Sequence, residues 1–160
     1  MIMIIEQEIE KRIVEAIGRA LDGNGIHGIQ VTGSLQTGLI KAVEDGECSG
    51  LIVVKVKPRS YQTPTTPECQ IPVSVVFTSR ADVDYDGKSY IGVSGVLLDI
   101  FTQWQRCLDD VHSLFGIESR FDCTGYQLAD GDTTVDPSGK TWGYTHDMSI
   151  YGVIANIQTN

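Results

Sequence analysis

Residues 82–87 read DVDYDG. Asp82, Asp84 and Asp86 stand at alternate positions and Gly87 follows. Three hard carboxylate oxygens at loop positions 1, 3 and 5, then glycine for a sharp turn, are how a calcium loop of the EF-hand kind begins. Such a loop needs a bidentate acid at position 12, which counted from Asp82 is Val93, and positions 7 and 9 fall on Lys88 and Tyr90. Half the ligand set is missing. The expectation is that no metal is held: Asp82 and Asp84 solvate a strand end, while Asp86 or Ser89 caps the next helix at its positive N-terminus. The alternative is a small α+β metal-dependent enzyme or cation-binding module using this loop, with further carboxylates from Asp130, Asp132 and Asp136. That second acidic run, DGDTTVD, has Val135 where glycine should stand and reads as a turn, with Pro137 and Gly139 behind it.

Nucleophilic chemistry would draw on Cys48, Cys69, Cys107 and Cys123, on serines, and on His27, His112 and His146. No two cysteines have the close spacing of zinc ligands or of a redox pair, and neither G-x-S-x-G nor H-E-x-x-H occurs. GSLQTG at 33–38 lacks the glycine spacing and the GK[ST] ending of a phosphate loop. Asp109 and His112, three apart, suit a local pair on one helix face. His146 falls on an aromatic strand face beside Tyr144 and Met148, where a core histidine is expected. Cys123 and His146 could face each other across a C-terminal hairpin as a Cys–His dyad, but no third group is specified to orient them. No catalytic residue and no cofactor is therefore expected.

The bulk numbers set the frame for these residues. A chain of 160 residues can bury a core without staples and is expected to form a single domain over 1–160. Net charge is −9, and the bases are scattered, the densest run being Lys55, Lys57 and Arg59. Tight binding to nucleic acid, which needs clustered cations, is disfavoured. The opening MIMIIEQEIEKR has no basic n-region, and no apolar stretch approaches a membrane span, so neither export nor a membrane partner is expected. Cysteines in such a chain are expected to stay reduced in a cytosol.

Periodicity then supplies the elements. Ile9, Ile13, Ala16, Ile17 and Ala20 mark an amphipathic helix over about 6–21, stopped by DGNG at 22–25. GIQVTGSLQTG and VEDGECSG flank a short strand expected around Gly38–Val43. LIVVKVK at 51–57 and VSVVFT at 73–78 alternate as strands. Between them PRSYQTPTTPECQIP, residues 58–72, carries four of the five prolines and is longer than a hairpin needs, so it reads as an arm or functional loop. A stripe from Tyr90 through Val93, Leu97, Ile100, Phe101, Trp104, Leu108 and Val111 to Phe115 predicts one long central helix over 89–115, with a break near Asp109 and Asp110. Gly92 and Gly95 are expected where its first turns lie close against a sheet. Residues 120–155 read as a closing hairpin. Its second strand, Thr141–Ile154, would run about 45 Å with Trp142, Tyr144, His146, Met148 and Ile150 on one face, and would bend at Gly152 or project past the core. The fold class is α+β: a mainly antiparallel sheet packed by an N-terminal helix and one long central helix.

The order of these elements resembles the tail terminator (tail-completion) proteins of long-tailed bacteriophages. The resemblance covers about residues 6–155. It rests on the charged helix EIEKRIVEAIGRAL, the long helix SYIGVSGVLLDIFTQWQRCL, and a closing hairpin with Gly125 and Tyr126, an acidic loop at 130–136, and Trp142. A longer segment at 25–72 departs from small members and leaves a neighbouring neck or head-tail connector role open.

The resemblance implies a structural virion protein and no reaction. Such proteins form a homo-oligomeric ring, commonly a hexamer, that caps the tail tube and joins it to the head-tail connector protein. Assembly in the host cytoplasm and residence in the virion tail follow. Copies at −9 each suit a lumen through which DNA slides without specific binding. Ring formation needs two different patches of each subunit to meet. The arm, with Tyr61, Pro64 and Pro67, and the strand edge near Tyr151 are the expected interface residues.

Overall fold

The computed structural model describes residues 4–33, 43, 49–61, 67–118, 120–135 and 139–154. Helix α1 spans Ile5–Gly23. It buries Ile5, Ile9, Ile13, Ile17 and Leu21; of the stripe read from the sequence, Ile9, Ile13 and Ile17 are buried and Ala16 and Ala20 half-buried. It runs two residues beyond Leu21 before the Asn24 N–H closes on the Ala20 and Leu21 carbonyls, and Ile26, buried behind it, bonds back to Leu21 O at 2.9 Å.

Seven strands among the described residues form one mixed, mostly antiparallel sheet: β1 (Ile29–Gly33), β2 (Gly50–Val56), β3 (Ser60–Tyr61), β4 (Glu68–Arg80), β5 (Phe121–Leu128), β6 (Asp132–Val135) and β7 (Thr141–Ile154). Their order is β1-β2-β4-β7-β5, with β3 beside β4 and β6 beside β7, and only β1 with β2 is parallel. With three helices spanning described residues packed against it, this is the α+β class expected.

Four sequence expectations need correction. The first strand among the described residues lies at Ile29–Gly33, where Val31 and its neighbours pair with β2, and the strand expected around 38–43 lies, but for Val43, outside the described residues. Val43 is helical and buried. The segment 58–72 is not a free connection: β4 begins at Glu68, five residues before the expected strand, and β3 folds back on it through Ser60↔Gln70 and Tyr61↔Cys69. Pro72 lies inside β4 just past the last β2 pair, Val56↔Val73, where its missing N–H interrupts no named β2–β4 pair and its carbonyl accepts from Lys57 N–H. DGDTTVD is largely strand β6, since Asp132 to Val135 pair with Thr145 to Trp142. Finally, β7 neither bends away nor projects. All but its last residue pair with β4, and Ile154 pairs with Phe121 of β5, so the longest strand is held between neighbours.

The long helix is two. Helix α2 (Tyr90–Arg106) and helix α3 (Leu108–Phe115) meet at extended Cys107, two residues before the expected break. Ser89 caps α2 by accepting from Gly92 N–H at 3.4 Å. Val93, Leu97, Phe101 and Trp104 of α2 and Val111 and Phe115 of α3 are buried. They share one hydrophobic core with the inner residues of α1 and with Ile52, Val54, Ile71, Val73, Val75, Phe77, Met148 and Ile150 of the sheet. Helices α1, α2 and α3 thus cover one sheet face. On the opposite face Leu51 and Val53 pack with Val43, while Gln70, Ser74, Asp147 and Ser149 present polar groups from β4 and β7.

Candidate functional site

DVDYDG folds as a tight hairpin turn. Tyr85 and Lys88 exchange backbone bonds of 2.8 and 3.1 Å, and the residues between them, Asp86 at φ 53° and Gly87 at φ 93°, take the left-handed conformations of a two-residue turn. Gly87 therefore serves the turn. The three carboxylates diverge: Asp82 meets Arg80 at 3.1 Å, Asp84 accepts from Gly87 N–H at 3.3 Å, and Asp86 meets His27 Nδ1 at 3.0 Å. What converges is Tyr85. Its ring is buried and its hydroxyl bonds Ser79 Oγ at 2.6 Å and Ser49 O at 2.9 Å, pinning the turn to the ends of β2 and β4. Among the described residues no three His, Cys, Asp or Glu side chains are grouped to hold a metal.

Of the sulfur and imidazole candidates, Cys69, Cys123 and His146 are core groups, Cys107 is half-buried, and His27 and His112 are exposed. Cys69, Cys107 and Cys123 are free thiols, and Cys48 lies outside the described residues. Burial raises the Cys69 pKa and pushes that of Cys123 up to about 11, which keeps both protonated and poorly nucleophilic near neutrality. The Cys123–His146 dyad does not form. Cys123 pairs with Gly152, six positions along β7 from His146, a separation of about 20 Å at strand rise. His146 is instead packed at 5.2 Å from Phe101 and 4.5 Å from Tyr144, and burial lowers its pKa to about 4.

His146 also forms part of a groove that sequence reasoning missed. Outside the core stripe, α2 carries Ile91, Gly95 and Leu98 on one outer strip, and Ile91 and Leu98 are 64% and 43% exposed. Facing them on β7 is an aromatic ladder, Trp142, Tyr144 and His146, with Trp142 and Tyr144 stacked at 6.0 Å. The cleft between, about 390 Å³, is lined mostly by apolar groups, with Thr133 of β6 at its side. His146 Nε2 is buried there without a hydrogen-bond partner. Gly95 corrects the expectation of close helix–sheet approach: it is exposed, with open space where a Cβ would stand, and it borders this groove. The sequence signal was present in the Ile91–Leu98 spacing of seven, which puts both on one face apart from the core stripe.

The expected interface residues separate. Tyr61 is exposed at the end of β3, and Pro67 is exposed just before β4. Pro64 lies outside the described residues. Tyr151 is not on an edge: it pairs with Gln70 on one side and Gly125 on the other, in the interior of the sheet. Tyr126 and Trp142, the aromatic marks of the closing hairpin, are packing residues, Tyr126 against Trp104 and Phe115, Trp142 against Phe77 and Tyr90.

No helix among the described residues is long and apolar enough to cross a membrane. No protein-family model matches the chain, and no curated protein matches it.

Proposed function

We propose that the chain is a structural protein of a long-tailed bacteriophage, a tail terminator or tail-completion protein. Its ring, commonly six copies, caps the tail tube, stops tube growth and presents a surface to the head-tail connector, in a virion tail assembled in the host cytoplasm. The observation that supports this most is the order of elements, α1, central strands, long helical segment, then a closing hairpin with Gly125 and Tyr126 before the acidic run and Trp142 after it. A binding role with no reaction is in keeping with the chemistry of the site. Among the described residues the exposed large apolar side chains are Ile4, Tyr61, Ile91 and Leu98, the last two rimming the groove, while the described thiols with shifted pKa values and the imidazole of His146 are buried. The negative charge of the chain suits a channel that passes DNA without holding it.

The test is addition of the purified protein to polymerising tail tubes. Binding to tube ends, seen by electron microscopy, with growth arrested at a fixed ratio of protein to ends, is expected. A protein that leaves tube length unchanged and never decorates an end removes this function.

A further inference from the structure

We propose that the cleft between α1 and α3 is a binding site for a free α-amino acid, held as its zwitterion. The cleft offers about 470 Å³, within the range that takes a small ligand. Arg12 closes one end of it: Nη1 donates to the carbonyls of Leu114 and Gly116 at 3.2 and 2.7 Å, and Nε to Glu8 at 3.3 Å. That guanidinium is therefore engaged within the protein. Beyond it the charges are free. Arg19 stands two turns further along α1, about 10 Å by helix rise, with Glu15 between, and Asp110 lies one turn before Leu114 on α3. All three are exposed and line the cleft, and none of their side chains has a hydrogen-bond or ion-pair partner among the described residues. Glu15 and Arg19 even have the four-residue spacing of a helix ion pair without making it.

Trp104 of α2, only 7% exposed, lines the same cleft and packs edge-on against Phe115 and Tyr126. Its indole N–H donates to no protein group among the described residues, although a buried indole N–H ordinarily finds a partner. Among those residues the enclosed side-chain atoms left unpaired are Tyr126 Oη and His146 Nε2. The Trp104 N–H is not one of them, so it reaches open space, and the open space that its ring borders is this cleft.

Chemistry selects the ligand. Two donors without acceptors, the Trp104 N–H and the Arg19 guanidinium, call for a carboxylate, and two acceptors without donors, Glu15 and Asp110, call for an ammonium group. A phosphate or other simple anion would be repelled by the two carboxylates, and a bare cation by Arg19. A ligand carrying both charges in one small frame satisfies the set. In an α-amino acid a single carbon joins them, and the apolar surface of Ala16 and Leu114 suits an aliphatic side chain. The site stands on these residues and not on the tail terminator reading.

Leucine is the probe. The chain has two tryptophans, Trp104 and Trp142, so two indole N–H resonances report on it, and Trp142→Phe tells them apart. Leucine added to the full chain is expected to shift the Trp104 resonance saturably, with a dissociation constant of about 1 mM, and to leave that of Trp142 in place. N-acetyl-leucine, which lacks the ammonium, and leucine amide, which lacks the carboxylate, should each bind about tenfold more weakly or worse. Arg19→Gln and Asp110→Asn, both at exposed positions, should each weaken leucine by a similar factor with the circular dichroism spectrum unchanged. Arg19→Gln should cost leucine amide nothing further, and Asp110→Asn should cost N-acetyl-leucine nothing further, because in each case the group that the side chain would hold is already gone. The proposal is overturned if leucine up to about 50 mM leaves the Trp104 resonance unmoved or moves only that of Trp142. It is equally overturned if either blocked compound binds as leucine does, or if both variants bind leucine as wild type does. Leucine binding in a protein that ignores tube ends would keep this site and discard the tail function.

Discussion

Arg59 closes on Glu6 with three hydrogen bonds: its backbone N–H at 2.9 Å and Nε at 3.1 Å to Oε2, and Nη2 at 2.6 Å to Oε1. The first turn of α1 is thereby tied to the link between β2 and β3. Burial alone would raise the Glu6 pKa, but the hydrogen bonds and charge of Arg59 outweigh it and hold the carboxyl below its ordinary value.

Glu6→Ala is expected to destabilise the fold by about 2 kcal/mol, less than for a fully buried pair because both side chains keep some contact with water. Arg59→Lys should recover little, since an ammonium cannot make the two-pronged contact. Because the folded-state pKa of Glu6 is depressed, its contribution is present above the ordinary carboxylate pKa and is lost as pH falls through the folded value. Urea midpoints of the variants at neutral pH check the first point. Equal midpoints for Glu6→Ala and wild type would remove the clamp.

His146 titrates in a different window. Its pKa is lowered from 6.5 to about 4 by burial, so between those values the unfolded chain binds a proton that the folded chain refuses. Stability is therefore full above pH 6.5 and falls as pH drops toward 4, by on the order of 3 kcal/mol over the whole window. His146→Leu should flatten this slope, and near neutrality it should cost little, because the unpartnered Nε2 goes with it. Urea midpoints between pH 7 and 4 read the difference; parallel curves for the two proteins would place the slope elsewhere.

How much of this was legible in the sequence depended on whether a residue's own neighbours set its role. The stripe Ile9, Ile13, Ile17 and the alternation from Trp142 to Ile150 fix one face of a helix and of a strand by local periodicity; the helix stripe and His146, Met148 and Ile150 are buried, while Trp142 and Tyr144 are half-buried at the groove. The 58–72 segment was misread because prolines there suggested a connection. Ser60 and Tyr61 are held by pairing with β4, a contact that no window of local sequence contains. Tyr151 was placed on an edge for the same reason: strand order is a tertiary fact, and β5 and β4 enclose it. Ile91 and Leu98 were readable as a second helical strip, yet only the fold shows that Trp142, Tyr144 and His146 stand across from them.

The DVDYDG turn yields a prediction in which backbone and metal readings diverge. Gly87 holds φ 93° with open space around its missing Cβ, so Gly87→Ala should cost about 1–2 kcal/mol through backbone strain alone. Millimolar calcium should leave the melting temperature of wild type unchanged, as the three aspartates diverge to separate partners. Thermal melts with and without calcium decide it: a rise of several degrees that vanishes in Asp84→Ala would restore the loop as a cation site.

Gly152 carries the most demanding position in the sheet. It stands on β7 between Cys69 of β4 and Cys123 of β5, next to the register shift between Cys123 and Gly125. A Cβ there would collide with the ring of Phe121 and lie 2.6 Å from the Asp122 carbonyl oxygen. The ring is itself buried, and the carbonyl belongs to the backbone of the paired strand, so neither yields without opening the β5–β7 ladder. Gly152→Ala is accordingly expected to destabilise by about 2–4 kcal/mol, among the larger single-site costs, with the damage confined to the closing hairpin. Phe121→Leu alone costs buried area, but combined with Gly152→Ala it makes room for the new methyl. The double variant should then be less destabilised than the sum of the singles by about 1 kcal/mol, the sign of a direct clash. Urea denaturation of the four proteins measures that coupling, and strict additivity would show that Phe121 is not what excludes a side chain at Gly152.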